Sequence, residues 1–150
     1  MVKGGDALGS IHALHICPGH RKPMVRLRDA EAVANRGLTG DRHALPDSSR
    51  QILLIEKETI DDLRLEPGQV KENVTTAGMR LMHMRSGERL LLGEEVILEI
   101  TKACSPCSRM DEVRPGLLKE LAGKRGMLAR VVRGGTIREG DTVRGANDQP

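Results

Sequence analysis

Apolar residues along this chain fall in short runs, and Gly or Pro closes almost every one. The apolar pattern of Ile11–Ile16 suggests a first strand, which stops at Pro18-Gly19. Pro23–Arg28 and Glu31–Asn35 read as two more short strands, the second ending at Gly37 and Gly40. After the Pro46-Asp47-Ser48-Ser49 loop, Arg50–Ile55 (RQILLI) is continuously apolar beyond its first two residues, as expected of a strand buried on both faces. It runs into EKETIDDLRL, where Ile55, Thr59, Ile60 and Leu63 recur at helical spacing and acidic residues sit early, as the helix dipole favours. Pro67-Gly68 ends that helix, and Val70–Val74 reads as a strand.

Leu90–Leu92, a Gly93-Glu94-Glu95 turn and Val96–Thr101 read as a β-hairpin. Val96, Leu98 and Ile100 share one face, with Ile97, Glu99 and Thr101 on the other. Pro115–Ala122 has Pro near its start and Gly123 past its end, the marks of a short helix. Met127–Arg133 is a strong strand, and Ile137–Val143, carrying Gly140-Asp141, reads as a closing hairpin arm. Residues 1–9 and 145–150 are polar and Gly-rich and are expected to fray. Many short strands with only two helices predict a mainly β protein, an antiparallel barrel-like sheet with a few short helices. At 150 residues one domain is expected, with its core at about residues 11–143.

Composition narrows the chemistry. The chain has no Phe, Tyr or Trp, so its core is packed from aliphatic residues, Met and Cys. Met79, Met82, Met84 and Met110 read as filler in place of aromatics. Single-stranded nucleic acid is held largely by aromatic stacking, which this chain cannot supply. The net charge of +3 is mild and its cations are dispersed, so neither nucleic acid nor membrane is an expected partner. No apolar run is long enough for a membrane helix, and MVKGGDALGS lacks the apolar core of a secretory signal. Three cysteines make no even disulfide framework, which points to a reducing, cytoplasmic setting with free thiols.

The densest chemistry lies in Thr101–Met110, TKACSPCSRM. Cys104 and Cys107 flank Pro106 at a strand end, with Lys102 and Arg109 as cations nearby. A thiolate is the nucleophile and the soft-metal ligand, and a neighbouring cation favours it. Two buried small hydrophobes would give the same spacing. Structural zinc needs four ligands, and the remaining candidates His12, His15, Cys17 and His20 do not form a second knuckle. Gly37-Leu38-Thr39-Gly40-Asp41-Arg42-His43 is a second candidate. Its glycines frame a turn, Arg42 offers a planar fork for phosphate or carboxylate, and His43 can move a proton. Asp41 capping a surface turn accounts for the same residues. Lys71-Glu72-Asn73-Val74-Thr75-Thr76-Ala77-Gly78 offers short polar groups for a heterocycle or phosphate, and also fits an ordinary polar loop. Arg50 is an anion contact or a salt-bridge partner of Asp41 or Asp47.

In order, GLTGDRHA, RQILLI with its helix, PGQVKENVTTAGM, GERLLLGEEVILEIT and CSPCSRM resemble the MOSC family, from about Ile11 to Val143. That family comprises the C-terminal domain of molybdenum cofactor sulfurases and its free-standing bacterial relatives. The resemblance implies a barrel-like fold with a pocket. It also implies molybdenum-cofactor (molybdopterin) binding, with Cys107 as the metal ligand or sulfur carrier and Cys104 as a second thiol. Asp41, Arg42, His43, Arg50, Asn73, Thr75 and Arg109 are carried over as pocket residues. Two activities follow as expectations: reduction of N-hydroxylated substrates at a Cys-ligated molybdenum centre, or sulfur relay through a persulfide on Cys107. A noncatalytic anion- or cofactor-binding domain is the third reading. A cysteine desulfurase or a redox protein is the expected partner, beside the small anionic cofactor. Larger cofactor sulfurases carry a pyridoxal-phosphate domain that this chain is expected to lack, so no bound pyridoxal phosphate is expected.

Overall fold

The apolar alternation closes on itself. The computed structural model describes residues 8–146. In chain order these hold β1 Gly9–Ile16, β2 Val25–Leu27, β3 Asp29–Val33, β4 Gly37–Leu38, β5 Ile52–Glu56 and α1 Lys57–Asp62. Then come β6 Val74–Ala77, β7 Arg89–Leu92, β8 Val96–Ala103, α2 Met110–Val113, α3 Leu117–Glu120, β9 Met127–Arg133, β10 Gly135–Arg138 and β11 Thr142–Gly145. The main sheet runs β11-β7-β8-β9-β5-β6-β1, and pairing of β1 with β11 closes it into a seven-stranded barrel. β2 extends it beyond β1, and β10-β3-β4 form a smaller sheet. The barrel is mixed, because β5 and β6 run parallel; the connection between them contains α1, as a parallel crossover requires.

Alternation sorts the side chains. Ile52, Leu54, Val96, Leu98, Ile100, Met127, Ala129 and Val131 fill the lumen together with Leu90, Leu92 and Val143. Ile55 faces outward into a second cluster with Ile60, Leu65, Val70, Met110, Leu117 and Leu121, where the helices pack on the barrel wall. RQILLI is apolar without alternation because β5 is covered on both faces. Met79, Met82 and Met84 pack against the lumen cluster, and Met110 lies under the helices.

Several elements differ from the sequence reading. The strand expected at Val70–Val74 lies at Val74–Ala77, and the preceding residues form a loop built around the Asn73 side chain. Residues 137–143 hold parts of two strands in different sheets, β10 and β11, parted by the Gly140-Asp141 turn in which Asp141 accepts from the Arg138 N–H. A third helix, α2, was not foreseen. Gly9 and Gly145, expected to fray, lie in β1 and β11; residues 1–7 and 147–150 lie outside the described residues. No helix among the described residues is long and apolar enough to cross a membrane.

Candidate functional site

Strand register gathers the loops that carry the sequence candidates. The end of β8 faces the start of β9 (Ala103 opposite Met127), and the start of β9 faces β5 (Met127 opposite Leu54). The start of β6 lies beside β5 (Val74 opposite Leu54) and beside the end of β1 (Val74 opposite Leu14). The segments around Cys104, Arg125, Asn73 and Cys17 therefore share one rim.

Asp41 and Asn73 lock that rim. The buried Asp41 carboxylate accepts from the Cys17 N–H at 2.6 Å, the His43 N–H at 3.1 Å and the Asn73 amide at 3.1 Å. The His43 Nδ1 lies 3.4 Å from the same carboxylate. Burial pushes the Asp41 pKa up, but the His43 side chain and the two backbone donors outweigh it, so it sits below the usual carboxylate range. Asn73 ties three strands: its Oδ1 accepts from the Leu53 N–H at 2.9 Å, and its Nδ2 also donates to the His15 carbonyl.

Two adjoining cavities open on this rim. The larger, about 370 Å³, is lined by Cys17, Arg21, Arg42, His43, Lys71, Cys107, Arg109, Met110, Glu112, Val113 and Arg125. The smaller, about 110 Å³, is lined by His43, Arg50, Leu53, Lys71, Asn73, Cys104, Arg125 and Leu128. His43, Lys71 and Arg125 belong to both, so the two form one cleft. Leu53, Leu128 and Cys104 make a cluster separate from the lumen, so the cleft lies against the outer wall of β5 and β9. Its lining is strongly cationic. The acid in it, Glu112, pairs with Arg21 at 3.4 Å, both side chains exposed. Lys71 takes a left-handed backbone (φ +69°), uncommon for a side-chain-bearing residue, and its Nζ donates to the Lys22 carbonyl.

Each sequence candidate has a definite place. Cys107 is exposed and lines the larger cavity with Arg42, Arg109 and His43. Cys104 is buried and lines the smaller one with Arg50 and Asn73. Asp41 and Thr75 line neither; Asp41 is the hub described above, and the buried Thr75 hydroxyl donates to Glu72 at 3.0 Å. Arg50 is exposed and forms no ion pair with Asp41 or Asp47; Asp47 accepts instead from Asn35. Lys102 is exposed at the end of β8 and does not line the cleft.

Sequence reasoning missed Arg125 and undervalued Cys17 and Lys71. Arg125 is only 6% exposed. Its Nη2 donates to the Val70 carbonyl, while Nη1 is buried with no partner. Gly126 (φ +116°) allows this placement: a Cβ there would meet the Leu54 carbonyl oxygen at 2.2 Å. Cys17 is buried, with its thiol 3.2 Å from the Gly19 carbonyl. A KRG triplet before a strand carries no local mark of burial, so only the fold reveals Arg125.

A model of the MOSC domain matches residues 39–144. The chain belongs to the MOSC domain family. Among solved structures it is similar to the YuaD protein from Bacillus subtilis, at a TM-score of 0.80 and 20% identity, over 95% of this chain and 97% of that one. It is also similar to YiiM from Geobacillus stearothermophilus, at 0.74 and 16% identity, over 92% and 75% of the two chains. YiiM from Escherichia coli gives 0.66 at 16%, over 92% and 68%. At these identities the likeness to solved structures speaks for the MOSC fold alone. No curated protein matches the sequence.

Proposed function

We propose that this MOSC protein binds the molybdenum cofactor, a phosphorylated pterin that carries its metal on an organic dithiolene, with Cys107 as the protein's ligand to molybdenum. The observation that supports this most is the pairing of an exposed soft thiol with a buried, half-unpartnered guanidinium on one cleft. The donor set suits such a ligand. A thiolate favours a soft metal, and planar guanidinium forks favour phosphate. A cavity of about 370 Å³ is within the range of small-molecule sites. Among the described residues no three His, Cys, Asp or Glu side chains gather as metal ligands. A metal here would therefore rely on Cys107 and on the organic ligand that brings it.

When bound, the cofactor supplies two-electron chemistry of the kind that reduces N-hydroxylated compounds. The chain's own residues do the rest. Arg42 and Arg109 flank Cys107 and offset negative charge at the metal end. Arg50, Lys71 and Arg125 offer donors toward the anionic end, while Asn73, whose amide hydrogens are spent on Asp41 and His15, fixes the rim. Asp41 and Thr75 hold His43, Asn73 and Glu72 in place. His43, which lines both cavities, is the group positioned to give or take a proton.

The exposure of Cys107 also favours a second reading, sulfur carriage, because a donor protein must reach the accepting thiol. The Cys107 thiolate would attack the outer sulfur of a cysteine desulfurase's persulfide. That S–S bond breaks, the donor leaves as a thiolate, and Cys107 carries the persulfide. Cys104 in the adjoining cavity, or Cys17 in the same one, is the thiol available to resolve it.

The test offers isolated molybdenum cofactor to the wild-type protein and to Cys107→Ser, then measures molybdenum and pterin retained after gel filtration. Retention by wild type and loss of metal by the variant are expected. Equal retention, or none in either, overturns the reading. A gain of one sulfur atom on Cys107 by mass spectrometry after incubation with a desulfurase would favour the relay.

A further inference from the structure

Beneath the cleft lies a polar layer that the thiol chemistry does not use. Glu72 is fully buried, in the loop before β6. Its Oε2 accepts from the Gly68 N–H at 2.7 Å and the Thr75 hydroxyl at 3.0 Å, while its Oε1 has no partner. Arg125 donates to Val70 of the same loop and leaves Nη1 without a partner. The two charges attract, yet they form no ion pair within 4 Å. A buried acid and a buried guanidinium, each with one idle atom, are costly to keep apart. Arg125 nonetheless faces both cavities.

We infer that Arg125 is the receptor for a tetrahedral oxyanion, a phosphate or sulfate group, and that Glu72 behind it takes up a proton when the anion binds. Ionised Glu72 partly neutralises the guanidinium and repels an incoming anion. Protonated Glu72 frees the full charge of Arg125 and keeps an oxygen for Gly68 and Thr75. Burial pushes the Glu72 carboxyl up from the ordinary range, against the pull of Gly68, Thr75 and Arg125, which moves its titration toward neutral pH. The other charged groups around the pair come from several elements. Lys71 lies on the same loop, Arg50 and His43 on the loop before β5, and Cys104 and Cys107 on the loop after β8. The His15 ring, from β1, lies against Gly68; burial, then Arg26, hold its pKa down. The inference rests on the reading of this cleft as the site of an anionic ligand, but it needs no thiol.

Sulfate is the probe, because it does not itself titrate between pH 5 and 8. Calorimetric titration of the Cys107→Ser protein, in buffers of different ionisation enthalpy, reads affinity and proton uptake together. Binding should tighten about tenfold as pH falls through the titration of Glu72, with up to one proton taken up, as expected when one linked group titrates. Glu72→Gln keeps an acceptor for Gly68 and Thr75; it should bind sulfate tightly at pH 8 and lose the slope. His43→Gln should keep the slope, which separates Glu72 from the histidine that lines both cavities. Arg125→Met should weaken binding by roughly 10- to 100-fold, with a thermal melt establishing that it folds. An unchanged slope in Glu72→Gln, full affinity in Arg125→Met, or no sulfate binding by the Cys107→Ser protein overturns the inference. Sulfate binding that follows this pattern in a protein that retains no molybdenum would fail the cofactor reading and leave this one standing.

Discussion

Arginines on two faces of the same barrel behave differently. On the β7-β8-β9 surface, Arg89 and Arg130 both reach the Glu99 carboxylate, at 3.2 and 2.9 Å. Burial alone would raise the Glu99 pKa, but Arg130 and then Arg89 bring it below the usual carboxylate range. At the cleft, Arg42, Arg50, Arg109 and Arg125 form no ion pair among the described residues, and Lys71 donates only to a carbonyl. The first group balances its own charge. The second gathers positive charge around a thiol and leaves it uncompensated. Self-repulsion of that kind lowers stability, and an anionic ligand would relieve it.

Exchanging one arginine from each face would sharpen the contrast most. Arg125→Met is expected to weaken binding of an anionic ligand by roughly 10- to 100-fold, the worth of a charge-assisted hydrogen bond. Arg130→Met should leave binding unchanged and cost less than about 1 kcal/mol of stability. Calorimetric titration and denaturant melts of the two variants would check both halves.

Asp41 should come next in size. Asp41→Asn removes charge from a carboxylate that holds Cys17, His43 and Asn73, and should cost roughly 2 kcal/mol at neutral pH. The folded pKa of Asp41 is depressed, so its contribution is present above the ordinary carboxyl range and is lost as pH falls through the folded value. Urea melts from pH 7 to pH 3 should therefore show the gap between wild type and variant closing at low pH.

Glu72 has the opposite sign. Its folded pKa is raised, so the folded state binds the extra proton, and stability falls as pH climbs from the ordinary carboxyl range through the raised value. Glu72→Gln should gain about 1 kcal/mol at pH 8 by removing a buried charge that forms no ion pair, and little or nothing at pH 4. Thermal melts at the two pH values are sufficient. The smallest effect belongs to the paired face. Glu99→Gln should cost less than about 1 kcal/mol, and the cost should shrink in high salt, as expected of a partly exposed network.

The balanced face was the easier to read from sequence. The Leu90–Thr101 hairpin and Met127–Arg133 emerge from dense aliphatic runs bounded by turn residues, because their lumen positions are all apolar. The cleft side was harder, because polar residues there are buried for tertiary reasons. Val74–Ala77 was displaced in the sequence reading since Thr75 and Thr76 are fully buried, and the strand's true start is marked by an asparagine that caps two neighbouring strands. The four residues of α2 are too few to show a helical period. Cys107, Arg42, His43, Arg50, Asn73 and Arg109 were legible as candidates because each belongs to a motif of recognisable chemistry. Arg125 belongs to none. Its burial comes from the crossing of a turn over β5, where Gly126 leaves no room for a side chain.

Of the three thiols lining the cationic cleft, Cys107 is the exposed one and the proposed contact to ligand, whereas Cys17 and Cys104 are buried. Timed alkylation with iodoacetamide and peptide mapping, with and without molybdenum cofactor, tests that central claim most directly. Cys107 should label first and be shielded when cofactor is present, while buried Cys17 and Cys104 label only on unfolding. Labelling of Cys17 or Cys104 ahead of Cys107, or a Cys107 rate indifferent to cofactor, would contradict it.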